Sequence, residues 1–408
     1  MELLHPRCAG IDVHKAQLLV CVRVVEGRTA RKDVREFGTT TGELLRLSEW
    51  LVREGVTHVA MEATGSYWKP VWHVLEGTVE LLLANPRDVK AVPGRKSDVL
   101  DCQWLADLHA HGLIRSSLVP PAPIQDLRDL TRTRKQLVRE RGRHVQRIHK
   151  TLEDANLKLA SVITDIMGTS GRSILEAIAA GESDPASLAR LGSSRLHASE
   201  AELRDALQGR VQAHHRFMLR LHLTQIAGLD AAIHSLEARV EECLTPFRAV
   251  SERLATIPGV SATTAAVLVA ETGADMSRFP SAGHLVSWAG LCSRLDESAG
   301  KPRSRRTRPG QWLKTTLVQA AWAAVKRKDS YFYAKFLRLR RRRGDKKAIV
   351  AVAAAMLTAA YHIMRDETEY QDLGADYFHR FDRAKLATHL IRRLQQLGFD
   401  VEAHPTAA

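Results

Sequence analysis

CAGIDVHKAQLLVCVRVV, residues Cys8 to Val25, sets the fold of the first part of the chain. Val, Ile and Leu crowd both sides of a polar break at His14–Ala16, which predicts two strands joined by a turn. A third short strand around Val34–Phe37 completes a meander. Thr41–Glu54 places Leu44, Leu45, Leu47 and Leu51 at helical spacing. A strand over Thr57–Glu62, a short helix around Trp68–Leu75 and a strand over Val79–Ala84 follow. The stretch from Lys96 to Leu108 closes the series as a helix, with Leu100, Leu105 and Leu108 on its apolar side and no Gly or Pro within it.

Three strands followed by alternating helices and strands predict a mixed sheet with helices on its faces, the ribonuclease-H-like arrangement. Asp12 then lies on the central strand, Glu62 ends the strand beside it, and ligands of open sheets gather at the carboxyl ends of strands. Asp98 and Asp101, three residues apart, share one face of the last helix and repel by roughly a few tenths of a kcal/mol in water. Hard divalent ions take carboxylate oxygens and offset such repulsion. Each residue also has a plainer reading: Asp98 and Asp101 as solvated charge near a helix start, Asp12 as a turn residue, Glu62 as a solvated strand end. Four converging carboxylates have no structural explanation, because unpaired buried charge is costly. The joint pattern predicts two Mg²⁺ ions, about 3.5–4 Å apart, acting on a phosphodiester, with Mn²⁺ able to substitute.

The 408 residues suffice for two to three domains. The hydrophobic share of 45% and charged share of 26% are those of an ordinary globular protein. The charge balance is not ordinary: 60 Lys and Arg against 46 Asp and Glu give +14 and a pI near 9.8, which points to a polyanion, usually nucleic acid. Between Arg294 and Lys347 stand 18 Lys and Arg against 4 Asp and Glu, as much net charge as the whole chain carries. Five cysteines (Cys8, Cys21, Cys102, Cys243, Cys292) without a CxxC pair predict reduced thiols in a cytoplasmic protein, with no disulfide framework and no zinc knuckle. The N-terminus has no apolar signal core. Ala348–Met364 is apolar but Ala-rich and short of about 20 residues, so a buried helix is expected there and no membrane span.

Pro120–Pro123 marks a boundary, giving a first domain over 1–120. A second region, 121–248, holds an Arg-rich helix from Ile124 to Leu159, then a segment, Ser161–Arg195, interrupted by Gly168, Gly171, Gly181 and Pro185. A further long helix carries Ile226, Leu229, Ile233, Leu236, Val240 and Cys243 at spacings of three and four, so an antiparallel hairpin with coiled-coil packing is expected. Its role is that of a spacer or that of a contact surface for a second copy or nucleic acid, through Arg132, Arg134, Arg139, Arg143 and Arg147. A third region, 249–366, opens with two helices joined at Pro258-Gly259-Val260, as in a helix-hairpin-helix element that grips phosphate or one that is purely structural. Ser261 stands where a second glycine is usual. A polar, basic loop over Ser293–Gly310 precedes helices at Gln311–Lys328, Tyr331–Arg343 and Lys346–Met364, and a tail over 367–408 shows no legible chemistry.

Gly10-Ile11-Asp12-Val13-His14-Lys15, Glu62-Ala63-Thr64-Gly65-Ser66-Tyr67 and Lys96-Ser97-Asp98 with Asp101 resemble the catalytic motifs of the DEDD-type insertion-sequence transposases, relatives of the pilin-gene invertase and of bridge-RNA-guided recombinases. Ile257-Pro258-Gly259-Val260, Arg278-Phe279-Pro280 and Ala289-Gly290-Leu291 leading to Glu297-Ser298 resemble that family's C-terminal transposase domain. The resemblance spans roughly residues 8–120 and 250–365 in the family's order; the middle helices match only in character. It implies a RuvC-like domain whose Asp12, Glu62, Asp98 and Asp101 bind Mg²⁺, and a serine nucleophile at Ser298, with Ser293 and Ser304 as fallbacks because the run Ser298-Ala299-Gly300-Lys301 is thinner than the family's. Without the resemblance, Ser298 in a basic loop reads as ordinary turn chemistry. With it, the expected activity is that of a transposase or site-specific recombinase acting through a phosphoserine–DNA intermediate. Arg294, Lys301, Arg303, Arg305, Arg306 and Arg308 are then positioned to hold phosphates. The resemblance further implies double-stranded DNA as substrate, a structured guide RNA, a homodimer or tetramer completing its sites between subunits, and a bacterial, nucleoid-associated location. Two rivals stay open: a RuvC-like junction resolvase or nuclease using the metal site alone, and a non-catalytic nucleic-acid-binding protein.

Overall fold

The apolar runs of residues 8–25 fold as neighbouring strands: β1 (Arg7–Val13) pairs antiparallel with β2 (Gln17–Glu26), and β2 with β3 (Thr29–Gly38). β4 (His58–Glu62) and β5 (Glu80–Ala84) join in parallel on the other side of β1, giving the order β3-β2-β1-β4-β5 of a ribonuclease-H-like sheet. This computed structural model describes residues 3–27, 29–62, 65–85, 89, 98–193, 196–292, 294–298, 301–305, 312–380 and 383–401, some of them by backbone alone. The chain separates into two units, Met1–Val119 and Pro120–Ala408.

In the first unit, the two-residue period of the strands sorts side chains between two layers. Ala9, Ile11, Val13, Val59 and Met61 pack beneath α1 (Thr41–Arg53) and α2 (Trp68–Leu75), whose Leu47, Trp50, Leu51, Val71 and Leu75 complete one core. The opposite face takes α3 (Asp98–Ala110): Cys102 and Ala106 pack on Cys21, and Leu105 and Leu108 on Ala60 and Ala84. Fully burying each such aliphatic side chain contributes about 1.5–3 kcal/mol, so these layers hold the sheet while Cys8, Cys21 and Cys102 remain free thiols. α3 crosses β1 so closely that a Cβ on Gly10 would lie 2.4 Å from the Cys102 carbonyl oxygen and 2.5 Å from the Ala106 nitrogen.

The second unit is built on α4 (Ala122–Asp154) and α9 (Ala213–Leu244). α4 stops before the expected Leu159 because Asn156 turns left-handed, at φ 55°, and closes the helix. The two helices run antiparallel: Arg134 pairs with Glu237, Arg141 with Asp230, His144 with His222, and Asp154 with His215, one number rising as the other falls. Between them α5 (Leu159–Val162), α6 (Thr169–Ala180), α7 (Pro185–Ala189) and α8 (Glu200–Ala206) cap the far end around Ile148, Leu152, Ile174, Ile178, Leu219 and Leu223. Gly168 and Gly181 flank α6 and Pro185 opens α7, as their residue types suggest. Gly171 instead lies inside α6, where a Cβ would meet the Ile166 carbonyl oxygen at 2.5 Å.

Helices α10 (Arg248–Ala255), α11 (Ala262–Thr272) and α12 (Ala282–Trp288) precede a feature that reading the stretch as a loop misses. Within the expected loop, β6 (Arg294–Ser298) and β7 (Lys301–Arg305) pair as an antiparallel ribbon. RLDES and KPRSR lack an apolar face, so no period-two signal marks them. α13 (Trp312–Ala324), α14 (Tyr331–Arg343) and α15 (Asp345–Asp366) follow, then α16 (Tyr377–Arg380) and α17 (Arg383–Gln396) in the tail. α15, 22 residues long, has the length and hydropathy to cross a membrane, yet Val352, Ala353, Met356, Leu357 and Ala360 bury it in the unit's core.

Candidate active site

Ile11 of β1 pairs with Met61 of β4, so Asp12 and Glu62, one residue further on, stand at the same level on adjacent parallel strands. Such strands lie about 4.8 Å apart. Alternation turns both residues to the side of Gly10 and Ala60, the face that α3 covers. α3 runs opposite to β1. His109 packs near His5, the Ala106 carbonyl accepts from the Cys8 thiol at 3.6 Å, and Cys102 sits over Gly10. The N-terminal turn of α3, with Asp98 and Asp101, therefore lies at the Asp12 end of the strand. Asp107 holds the helix across the sheet by accepting from Arg23 Nε at 3.0 Å and Lys32 Nζ at 2.6 Å.

The electrostatics agree with this placement. Burial pushes the Cys102 thiol up to about 11, and the negative charges of Asp12 and, less strongly, Asp101 push in the same direction. Asp12, itself 9% exposed, meets His14 Nε2 through Oδ2 at 3.1 Å. Glu62 and Asp101 are half-buried. The N-terminus of α3, the positive end of its dipole, lies at the end of β1 that carries Asp12. The Asp98 side chain lies outside the described residues. Among the described residues no group of three His, Cys, Asp or Glu is placed ready to hold an ion. Asp12, Glu62 and Asp101 are hard oxygen donors of the kind Mg²⁺ takes, so the donor set fits such an ion in its chemistry.

In the second unit, Ser298 ends β6 and pairs with Lys301; Asp296 pairs with Arg303, Leu295 with Ser304 and Arg294 with Arg305. Positions 294, 296 and 298 thus alternate onto the same side of the ribbon as positions 301, 303 and 305. Ser293, Arg306 and Arg308 lie outside the described residues. The arginines of α4 divide by partner. Arg132 makes a bidentate bond to the buried Glu271 of α11, 2.8 Å at each contact, and Arg128 donates to the carbonyls of Ala270 and Glu271. Arg134 is paired with Glu237, whereas Arg143 and Arg147 are exposed. Arg139 lies 5.4 Å from the centre of the Trp312 ring, beside Lys135, which donates to the Thr316 hydroxyl at 2.9 Å.

The turn between α10 and α11 has a packing explanation. Gly259, at φ 82°, lets the turn press on α13, where a Cβ would sit 2.4 Å from the Ala320 carbonyl oxygen. Ser261 caps α11 by accepting from the Thr264 N–H. A second centre was not foreseen from sequence: His5, His58 and His109 gather at the end of the sheet away from Asp12, ring centres 3.9 and 4.8 Å from that of His5. Burial, followed by the neighbouring imidazoles, pushes His109 down to about 4, and its Nε2 is buried with no hydrogen-bond partner.

Residues 9–157 match the family model of the IS110 DEDD transposases, described as "Transposase", and residues 251–337 match the one described as "Transposase IS116/IS110/IS902 family". Among solved structures, Thermus thermophilus RuvC is 19% identical over 27% of this chain and 99% of its own, with a TM-score of 0.23. The T. thermophilus RuvC in complex with Holliday junction substrate is also 19% identical, over 28% of this chain and 100% of its own, again with a TM-score of 0.23. No curated protein matches the chain.

Proposed function

Because the chain belongs to the IS110-type insertion-sequence transposases, we propose that it cuts and rejoins DNA through a serine–DNA intermediate at an acidic, divalent-metal site. The observation that carries the acidic site is the shared level of Asp12 and Glu62 beneath the N-terminus of α3. Asp12, Glu62, Asp98 and Asp101 would hold two Mg²⁺ ions, and Mn²⁺ in their place. The ions supply Lewis-acid stabilisation of charge on the phosphate and ease deprotonation of a hydroxyl.

In this reading the Ser298 hydroxyl attacks the phosphorus of a backbone phosphodiester. The P–O bond to the adjoining nucleotide breaks and that oxygen leaves with a proton. One DNA end stays esterified to Ser298 and keeps the bond energy, so attack by a second strand's hydroxyl rejoins DNA without ATP and returns the proton to serine. Arg294, Lys301, Arg303 and Arg305, by their ribbon positions, and Arg306 and Arg308 beside them, neutralise phosphates. The protein acts in the bacterial cytoplasm as a dimer or tetramer on double-stranded DNA, with a structured RNA choosing the sequences joined. The exposed Arg143 and Arg147 supply a basic surface for either nucleic acid.

A plasmid inversion or excision assay tests the proposal. Asp101→Asn should lower joined product about 1,000-fold, near 4 kcal/mol in barrier, as should chelation of divalent metal. Ser298→Ala should abolish both joining and the covalent protein–DNA adduct that the unaltered protein forms. Cleavage surviving in Ser298→Ala would indicate a nuclease working from the acidic site alone. Indifference to both substitutions would leave a nucleic-acid-binding protein without chemistry.

A further inference from the structure

A cavity of about 460 Å³ opens between α14, α15 and the segment that follows them, apart from the acidic site and the Ser298 ribbon in sequence. Its inner wall is aromatic: Phe332 is buried, and Tyr331 and Tyr370 are half-buried. Phe332 stacks on Tyr370 with ring centres 5.5 Å apart, and Tyr331 stacks on Phe378 at 5.4 Å. The rim is polar, where exposed His362, Glu369 and Gln371 offer both donors and acceptors.

α14 leads away from this cavity as a basic stripe. Tyr331, Lys335, Arg338 and Arg342 follow one another at steps of four, three and four, which is one face of a helix. Lys335 donates to the Tyr331 hydroxyl at 3.2 Å, and the Arg338 guanidinium lies 4.8 Å from the centre of the Phe378 ring, so the stripe is tied to the cavity wall. From Lys335 to Arg342 it spans about 10 Å. The half-buried Tyr331 and Tyr370 beside Ala355 and Ala359, with a hydrogen-bonding rim, suit a base, and cations outside suit the phosphates on either side of it. The volume lies in the range of small-ligand sites, about 300–1,000 Å³.

We propose that this cavity receives one unpaired nucleotide of a nucleic-acid strand, the base inside and the flanking phosphates on Lys335, Arg338 and Arg342. The proposal rests on the chain handling nucleic acid, and adds where an unpaired base is held. A duplex cannot enter, because its bases are stacked and paired.

The test uses the full chain and short oligonucleotides carrying 2-aminopurine, as a single strand and as a duplex, in DNA and RNA forms. Binding should quench the probe in the single strand and leave it unchanged in the duplex. Thr358→Phe, which fills the cavity from α15, should remove the quench and weaken single-strand binding about 10-fold, near 1.4 kcal/mol, while duplex affinity holds. Should that variant melt early, His362→Trp at the exposed rim should give the same result. Replacing Arg338 and Arg342 together with Glu should weaken single-strand binding and flatten its salt dependence by about 1.4 in log–log slope. Single-strand binding and quench unchanged in both cavity variants would overturn the proposal and leave the transposase reading intact. A chain that binds neither oligonucleotide would overturn both. The DNA and RNA arms identify which strand supplies the base.

Discussion

Gly10 and Gly259 each bring a stretch of chain against the backbone of a helix, at the same 2.4 Å from a virtual Cβ to a carbonyl oxygen, and they do different work. Gly10 sits in an ordinary strand, so only the neighbour excludes a side chain. Gly259 adds a φ of 82°, which L residues rarely adopt. The Gly10 contact lies two residues from Asp12 and sets how the start of α3 meets the strand ends. The Gly259 contact locks the α10–α11 turn to α13 within a helical core. Close approach serves placement of charged groups in one unit and solidity in the other.

Substitutions can break this contrast. Gly259→Ala combines left-handed strain of about 1–2 kcal/mol with overpacking of about 1–3 kcal/mol. Urea denaturation should show a loss near 4 kcal/mol; a loss below about 1 kcal/mol would mean that α13 yields and the turn is not locked. The far end of α3 responds to pH instead. His109 binds its proton at about 4 when folded and near its ordinary value of 6.5 when unfolded. Stability is therefore full above 6.5, falls by about 3 kcal/mol as the pH drops towards 4, and is flat in this contribution below it. His109→Gln should flatten that part of the curve; an unchanged slope would place the acid loss elsewhere. Gly10→Ala carries the contact cost alone, about 2 kcal/mol, yet it shifts α3. At a temperature where the variant stays folded, strand cleavage should fall about 100-fold, the usual result of a 1 Å misplacement. Full activity with α3 displaced would detach Asp101 from the chemistry.

Local pattern made much of the first unit legible. The helix at Trp68–Leu75 and the strand pair around His14–Ala16 follow from short apolar periods in the chain itself. The element order also put Asp12 and Glu62 at strand ends. Their common level depends on Ile11 pairing with Met61, fifty residues away, which no local period reports. Distance in sequence hid the rest. Arg132 meets Glu271 across 139 residues, so a count of arginines on α4 could not separate those committed to partners from those facing solvent. His5, His58 and His109 come together only because one strand and the approach to another begin where α3 ends. β6 and β7 escaped for a different reason, since RLDES and KPRSR carry no alternation of apolar residues.

The long pair of helices has a mechanical consequence. α4 is gripped near its start by Glu271 and carries a separate packed cluster at its other end, 33 residues in all, or about 50 Å of helix. Zippered to α9 by cross-helix pairs along its length, it behaves as a stiff arm with a weighted tip. A tilt of about 5° at the Glu271 grip carries the tip about 3 Å, a hydrogen bond's length, over the roughly 33 Å of helix from Arg132 to Asp154. A small adjustment among α11 and its neighbours is thereby magnified where the arm ends.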